Sequence, residues 1–145
     1  MQSLMEDVQK RLNEKTIVLK TELPKVIGSF QQIQETLKVK ALAYKNSNFE
    51  QATNLTTIGS QVFGLVRSAQ LILSNVSSEE GVNKSLAIIS SGALTGHTDA
   101  LIKLLENSEA THNISLDLLK ESNAKIQEIT QDVDIKQYTL SEDKE

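Results

Sequence analysis

The sequence predicts an all-α protein: an antiparallel (up-down) four-helix bundle with a long N-terminal helix, kinked at proline and able to extend as a coiled coil. Three observations carry this. Aromatic residues make up only 3% of the 145 residues and Trp is absent, whereas small β-rich domains lean on aromatic and β-branched positions. One Pro and six Gly leave few turns from which to build many short strands. Apolar residues recur at alternating spacings of three and four over long segments, the period of an amphipathic helix.

The first segment carries Met5, Leu12, Leu19, Leu23, Val26, Phe30, Ile33, Leu37 and Tyr44 on one heptad register, with polar misses at Gln9, Thr16 and Lys40. Pro24 interrupts it. A proline inside a helix removes one hydrogen bond and clashes with the preceding turn, so a kink or break is expected near Thr21 to Leu23. Because the periodicity survives on both sides, this reads as two co-linear helices or one bent helix: an extension over 1–23 and a helix over 25–45. The extension must bury Met5, Val8, Leu12 and Leu19 by folding back, by dimerising or by receiving a partner. These four are the candidate partner- or dimer-binding residues.

Ser47-Asn48-Phe49-Glu50 fits the S-x-x-E capping box, in which hydroxyl and carboxylate satisfy free N–H groups at a helix start. It opens a helix over 48–76 with Leu55, Ile58, Val62, Leu65, Ala69, Ile72 and Val76 on one stripe, widened by Gly59, Phe63, Val66 and Leu73. A second box, Ser77-Ser78-Glu79-Glu80, opens a helix over 78–106 with Val82, Leu86, Ile89, Ala93, Gly96 and Ala100 on its stripe, extended by Leu101, Leu104 and Leu105. No charge occurs between Ser85 and Thr98, which points to a buried helix. The boundary within Glu106 to Thr111 is poorly marked. Beyond it Leu119, Ile126, Ile129, Val133 and Leu140 share a stripe interrupted by Ser122 and Lys136, giving a helix over 109–138. Residues 1–140 form one domain and 141–145 a polar tail. The longer helices would each span about 43 Å, and short links between helices of matched length favour antiparallel neighbours. Val62, Leu65, Ile72, Leu86 and Ile89 are expected among the most buried residues.

Several function classes are excluded. Without cysteine there is no disulfide scaffold, thiolate zinc site or thiol nucleophile. No apolar run reaches the roughly 18 residues of a membrane span, and the start lacks a signal-peptide pattern, so a cytoplasmic location is expected. The net charge of −4 is uneven: residues 1–46 hold eight Lys/Arg against five Asp/Glu (+3), and 47–145 seven against fourteen (−7). The lysines are interleaved with glutamates and aromatics are scarce, so no nucleic-acid surface is expected. His97 and His112 are 15 residues apart and share no ligand spacing, and there is no E-x-x-H pair, P-loop or nucleophile elbow. No catalytic, metal or cofactor-binding residue is assigned, and an enzyme is not expected. Four N-x-S/T sequons, at Asn54, Asn75, Asn83 and Asn113, are what a chain rich in Asn, Ser and Thr holds by chance.

From Val66 to Leu73, through Ser77-Ser78-Glu79-Glu80-Gly81, and into Val82-Asn83-Lys84-Ser85-Leu86-Ala87-Ile88-Ile89 and Ala93, the pattern resembles two middle helices of a focal-adhesion-targeting-type, vinculin-like bundle. It is most similar to the C-terminal bundle of GIT-type Arf GTPase-activating scaffolds, a module also attributed to the yeast polarisome scaffold. The resemblance rests on a V-x-x-S-L-x-apolar-apolar helix start after a short polar loop and covers about 40 residues. It implies a scaffold or adaptor of a cytoskeletal or cell-polarity complex that docks an amphipathic partner helix between its own helices. No binding residue is carried over. The alternative from the heptads is a dimeric coiled-coil oligomerisation module, in which residues 1–45 form a rod and make a homodimer. A regulatory helical domain of a membrane-fusion or sensory protein ranks behind both.

Overall fold

The computed structural model describes the backbone of residues 2–131 and the side chains of residues 6–130. Four helices and no strand occur among them: α1 (Gln2–Tyr44), α2 (Phe49–Val76), α3 (Gly81–Glu106) and α4 (Asp117–Gln131). α1 packs most extensively on α2, α2 on α3, α3 on α4, and α4 returns to α1; α1 also touches α3 across the diagonal. Contacts between α3 and α4 run from Gly92 with Thr130 to Glu106 with Lys120, so these two are antiparallel. Short turns reverse the chain between α1 and α2 and between α2 and α3. The arrangement is the expected up-down bundle.

α1 is one helix of 43 residues, about 64 Å long. It runs through Pro24 as one helix, the second of the two expected arrangements, rather than as separate helices over 1–23 and 25–45. The reason lies in where the proline sits. Pro24 and Lys20 are both exposed, so the Lys20 carbonyl that loses its N–H partner can bond water instead. Leu19, Leu23, Val26, Phe30, Ile33 and Leu37 are all buried as their heptad register requires, while Leu12 and Tyr44 are half-buried against the same core. Thr16, a polar miss, is buried with its hydroxyl donating to Asn13 O at 2.8 Å.

Both capping boxes need correcting. α2 is capped by Asn48, whose side chain accepts from Gln51 N at 3.1 Å; the amide oxygen does what Ser47 was expected to do, one residue later. Ser77 closes α2, its N–H donating to Leu73 O at 3.1 Å. α3 starts at Gly81, three residues later than expected. The Ser78 hydroxyl accepts from Glu80 N at 3.2 Å and Asn83 Nδ2 at 3.0 Å, which holds the turn without a side-chain cap.

Along α2 the stripe buries Ala52, Leu55, Val62, Val66, Ala69, Ile72 and Val76, with Ile58, Leu65 and Leu73 half-buried. Leu65 is thus less enclosed than expected. α3 departs further. Its buried face is Ala87, Ile88, Ser91, Leu94, Thr95, Thr98, Leu101, Ile102 and Leu105, whereas Leu86 is half exposed and Ile89 is 54% exposed. The expected core stripe faces outward. The true face carries three hydroxyls that each donate to a carbonyl of their own helix: Ser91 to Ile88 O at 2.7 Å, Thr95 to Gly92 O at 2.7 Å and Thr98 to Leu94 O at 2.8 Å. Back-bonded in this way, the hydroxyls can be buried without leaving a donor unpaired.

The link from α3 to α4 is longer than expected, so α4 begins at Asp117 rather than at residue 109. Ala110, Thr111 and Leu116 are buried in it, and Thr111 Oγ1 donates to Leu105 O at 2.6 Å, fastening the link to the end of α3. α4 buries Leu119, Ser122, Asn123 and Ile126. Asn123 Nδ2 donates to Asp99 Oδ1 at 2.8 Å and Gln127 Nε2 to Asp99 Oδ2 at 2.6 Å, so a carboxylate on α3 fixes the register of α4. Lys120 Nζ meets Glu106 Oε2 at 2.6 Å, and this hydrogen bond raises the Lys120 pKa above its usual 10.5. Val133, Lys136, Leu140, the expected helix end at 138 and the tail 141–145 lie outside the described residues.

Candidate functional site

A groove of about 670 Å³ lies between the C-terminal half of α1 and the N-terminal half of α2. Its floor is Leu37, Ala41, Ala52 and Leu55, and its lips are Leu42, Phe49 and Phe63. The groove exists because the seam carries small residues: Ala41 on one side, Ala52 and Gly59 on the other. Where larger side chains would close the gap, these leave it open.

The lips are the unusual part. Phe49 is 75% exposed, Leu42 63% and Phe63 51%. Large apolar groups clustered at a concave surface mark interaction sites more often than singly scattered ones do. From Phe49 to Phe63 the groove follows fourteen residue steps of α2, about 21 Å or four helical turns.

The α2 wall looks polar in sequence, with Thr53, Thr56, Thr57 and Ser60 lining it. Each hydroxyl, however, donates to the carbonyl four residues back: Thr53 to Phe49 O at 3.0 Å, Thr56 to Ala52 O at 2.9 Å, Thr57 to Thr53 O at 3.0 Å and Ser60 to Thr56 O at 3.3 Å. The donors are occupied, so an apolar occupant would strand none of them. Lys38 and Lys45 also line the groove, and no carboxylate does among the described residues. Arg67 sits just beyond one end, its guanidinium 5.9 Å from the centre of the Phe63 ring, within range of a cation–π contact. The groove is therefore apolar with a positive border.

Comparison with protein-family models, curated proteins and solved structures finds no match to this chain.

Leu19 is fully buried in the core of its own chain, so it has nothing to offer a partner, and this is a correction. Leu12 is half-buried against the same core, Val8 is exposed, and the Met5 side chain lies outside the described residues. His97 and His112 are both exposed, and His112 Nδ1 donates to Glu109 O at 2.8 Å. No group of three or more His, Cys, Asp or Glu among the described residues could hold a metal ion, and no helix among them is long and apolar enough to cross a membrane.

Proposed function

We propose that this chain is a non-enzymatic protein–protein interaction module that receives an amphipathic helix of a partner in the groove between α1 and α2. The observation that carries this is the pairing of exposed Leu42, Phe49 and Phe63 with a floor of small and apolar residues over about four helical turns. A partner helix would place anchors at i, i+3/i+4, i+7 and i+11 into such a groove. Lys38, Lys45 and Arg67 favour glutamates or aspartates on the flanks of that helix and disfavour basic ones. A scaffold role in a cytoskeletal or cell-polarity complex, which the resemblance implies, belongs to the same reading. The homodimeric rod has less support, because Leu19 is committed to the core and Leu12 largely so.

The test uses a designed fluorescent peptide of about four turns, with leucines on one face and glutamates on the flanks, titrated by anisotropy. Saturable binding is expected for the wild-type chain and none for a sequence-scrambled peptide. Phe63→Glu should abolish binding with an unchanged circular dichroism spectrum, since Phe63 is half exposed. Added salt should weaken the wild-type affinity. Equal binding by the wild type and the Phe63→Glu variant would refute the assignment.

A further inference from the structure

The outward face of α3 is a second surface with a different character. Val82, Leu86, Ile89, Ala93, Gly96, Ala100 and Leu104 all lie exposed within an arc of about 80° at 100° per residue. No charged residue occurs from Ser85 to Thr98, so the middle of this face presents only apolar groups, serines and His97. A charged partner finds nothing to pair with there.

The stripe is graded in size. Its N-terminal half is large (Val82, Leu86, Ile89), its centre and next two positions are small (Ala93, Gly96, Ala100), and Leu104 ends it. Val82 and Leu104 each lie eleven residues from Ala93, and Leu86 and Ala100 each lie seven. Ile89, four residues before Ala93, is matched by Gly96, three after it. A two-fold axis through Ala93 therefore sets Leu86 of one copy against Ala100 of the other and Ile89 between Gly96 and His97, while at the two ends Val82 meets Leu104.

Charge follows the same symmetry. Exposed Glu79 and Glu80 stand at the start of α3 and exposed Lys103 near its end. Antiparallel pairing brings the carboxylates of one copy within about one helical turn of the other's Lys103, whereas parallel pairing would set the glutamates against each other. Gly96 leaves room for a close approach: a Cβ there would meet nothing of this chain within 4 Å, as at Gly28, Gly59 and Gly64, and one at Gly92 would make only an ordinary contact with Thr130 at 3.7 Å.

We infer that the exposed face of α3 takes a second copy of this chain, its α3 antiparallel to the first, with the two-fold axis at Ala93. The backbones approach closely at Ala93 and Gly96, and Leu86 and Ile89 fill the space above Ala100 and Gly96. This surface is distinct from the α1/α2 groove and leaves it open.

Light scattering behind size exclusion over a range of concentrations tests it on the whole chain. The wild type should approach twice 16.0 kDa as concentration rises. Ala93→Arg, which sets two guanidiniums against each other on the axis, should hold the mass at 16.0 kDa with unchanged helicity. Because the chain has no cysteine, Ala93→Cys reports the geometry directly: on oxidation it should form a covalent dimer, and Ala100→Cys should not. A wild type that stays at single-chain mass at every concentration overturns the inference and leaves the face to a different protein. A dimer that survives Ala93→Arg, or cross-links as readily through Ala100→Cys, overturns it as well.

Discussion

Ile88 and Ile89 are adjacent isoleucines about 100° apart around α3, one facing the core and the other solvent, and exchanging each for alanine separates the two possible faces of that helix. Ile88 is 3% exposed and Ile89 54%. Ile→Ala removes three carbons, worth about 0.8 kcal/mol each when buried, so the transfer term alone is about 2.4 kcal/mol at Ile88. The cavity left behind brings the cost to about 3 kcal/mol, inside the usual range of about 2–5 kcal/mol for such truncations. At Ile89 less than half of the side chain is covered, so the transfer term is about 1 kcal/mol, and the better helix propensity of alanine returns a few tenths of a kcal/mol. The two variants should differ by about 2 kcal/mol. Urea unfolding followed by circular dichroism reads this as a fall in midpoint at constant slope. Both should be made in an Ala93→Arg background, so that self-association through Ile89 adds nothing. Equal losses, or a larger one at Ile89, would mean that α3 turns its other face to the core.

Three further outcomes follow from individual contacts. Pro24→Ala restores an N–H toward the Lys20 carbonyl on the exposed side of α1 and should raise stability by up to about 3 kcal/mol; a loss on calorimetry would show that the helix needs a bend there. Glu22 is buried, with Oε2 3.4 Å from Lys25 Nζ and Oε1 without a partner. Glu22→Met keeps the length, removes the orphaned oxygen and should stabilise by about 1–3 kcal/mol, an idea that a lower unfolding midpoint would defeat. The Lys120 pKa is raised in the fold by its hydrogen bond to Glu106, so the pair's contribution is present below pH 10.5 and lost as pH climbs through the raised value. The melting difference between wild type and Glu106→Gln should therefore shrink in strongly alkaline buffer; a gap that widens there would contradict the assignment.

What the sequence reveals here depends on where the hydroxyls are. α1 and α2 are legible because large apolar residues hold the register: Leu19 to Leu37 and Leu55 to Val76 keep one stripe, and the structure buries it, with Thr16, Glu22 and Ser29 of α1 buried beside it. α3 misleads because it is nearly uncharged all round. Counting hydropathy favours Val82, Leu86 and Ile89 over a face interrupted by Ser91, Thr95 and Thr98, yet those three are the ones whose hydroxyls bond back to the helix and pack inward. The groove is hidden for the same reason, since Thr53, Thr56, Thr57 and Ser60 look like a solvated face. The signal in the sequence is Phe49 and Phe63, two of only three Phe in the chain and fourteen residues apart, but Phe63 reads there as widening the core stripe, whereas it is 51% exposed. Leu19 was misassigned because a heptad position does not say whether the neighbour comes from the same chain or another. The α3–α4 link escaped because Ala110 and Thr111 are anchored by one side-chain bond to Leu105 O, which no local pattern encodes.

Those same hydroxyls bear on how the groove behaves when nothing is in it. A Thr that donates to the carbonyl four residues back still has lone pairs turned toward solvent, while its methyl group lies on the wall. Three such threonines and Ser60 give the empty groove a row of acceptors on which water can rest. A wall of valine and leucine in their place would dewet and adhere to any apolar neighbour. When an occupant arrives, only weakly held acceptor hydration has to leave, because the donors never pointed outward. The surface is thus wettable when vacant and oily when filled, a combination suited to partners that come and go.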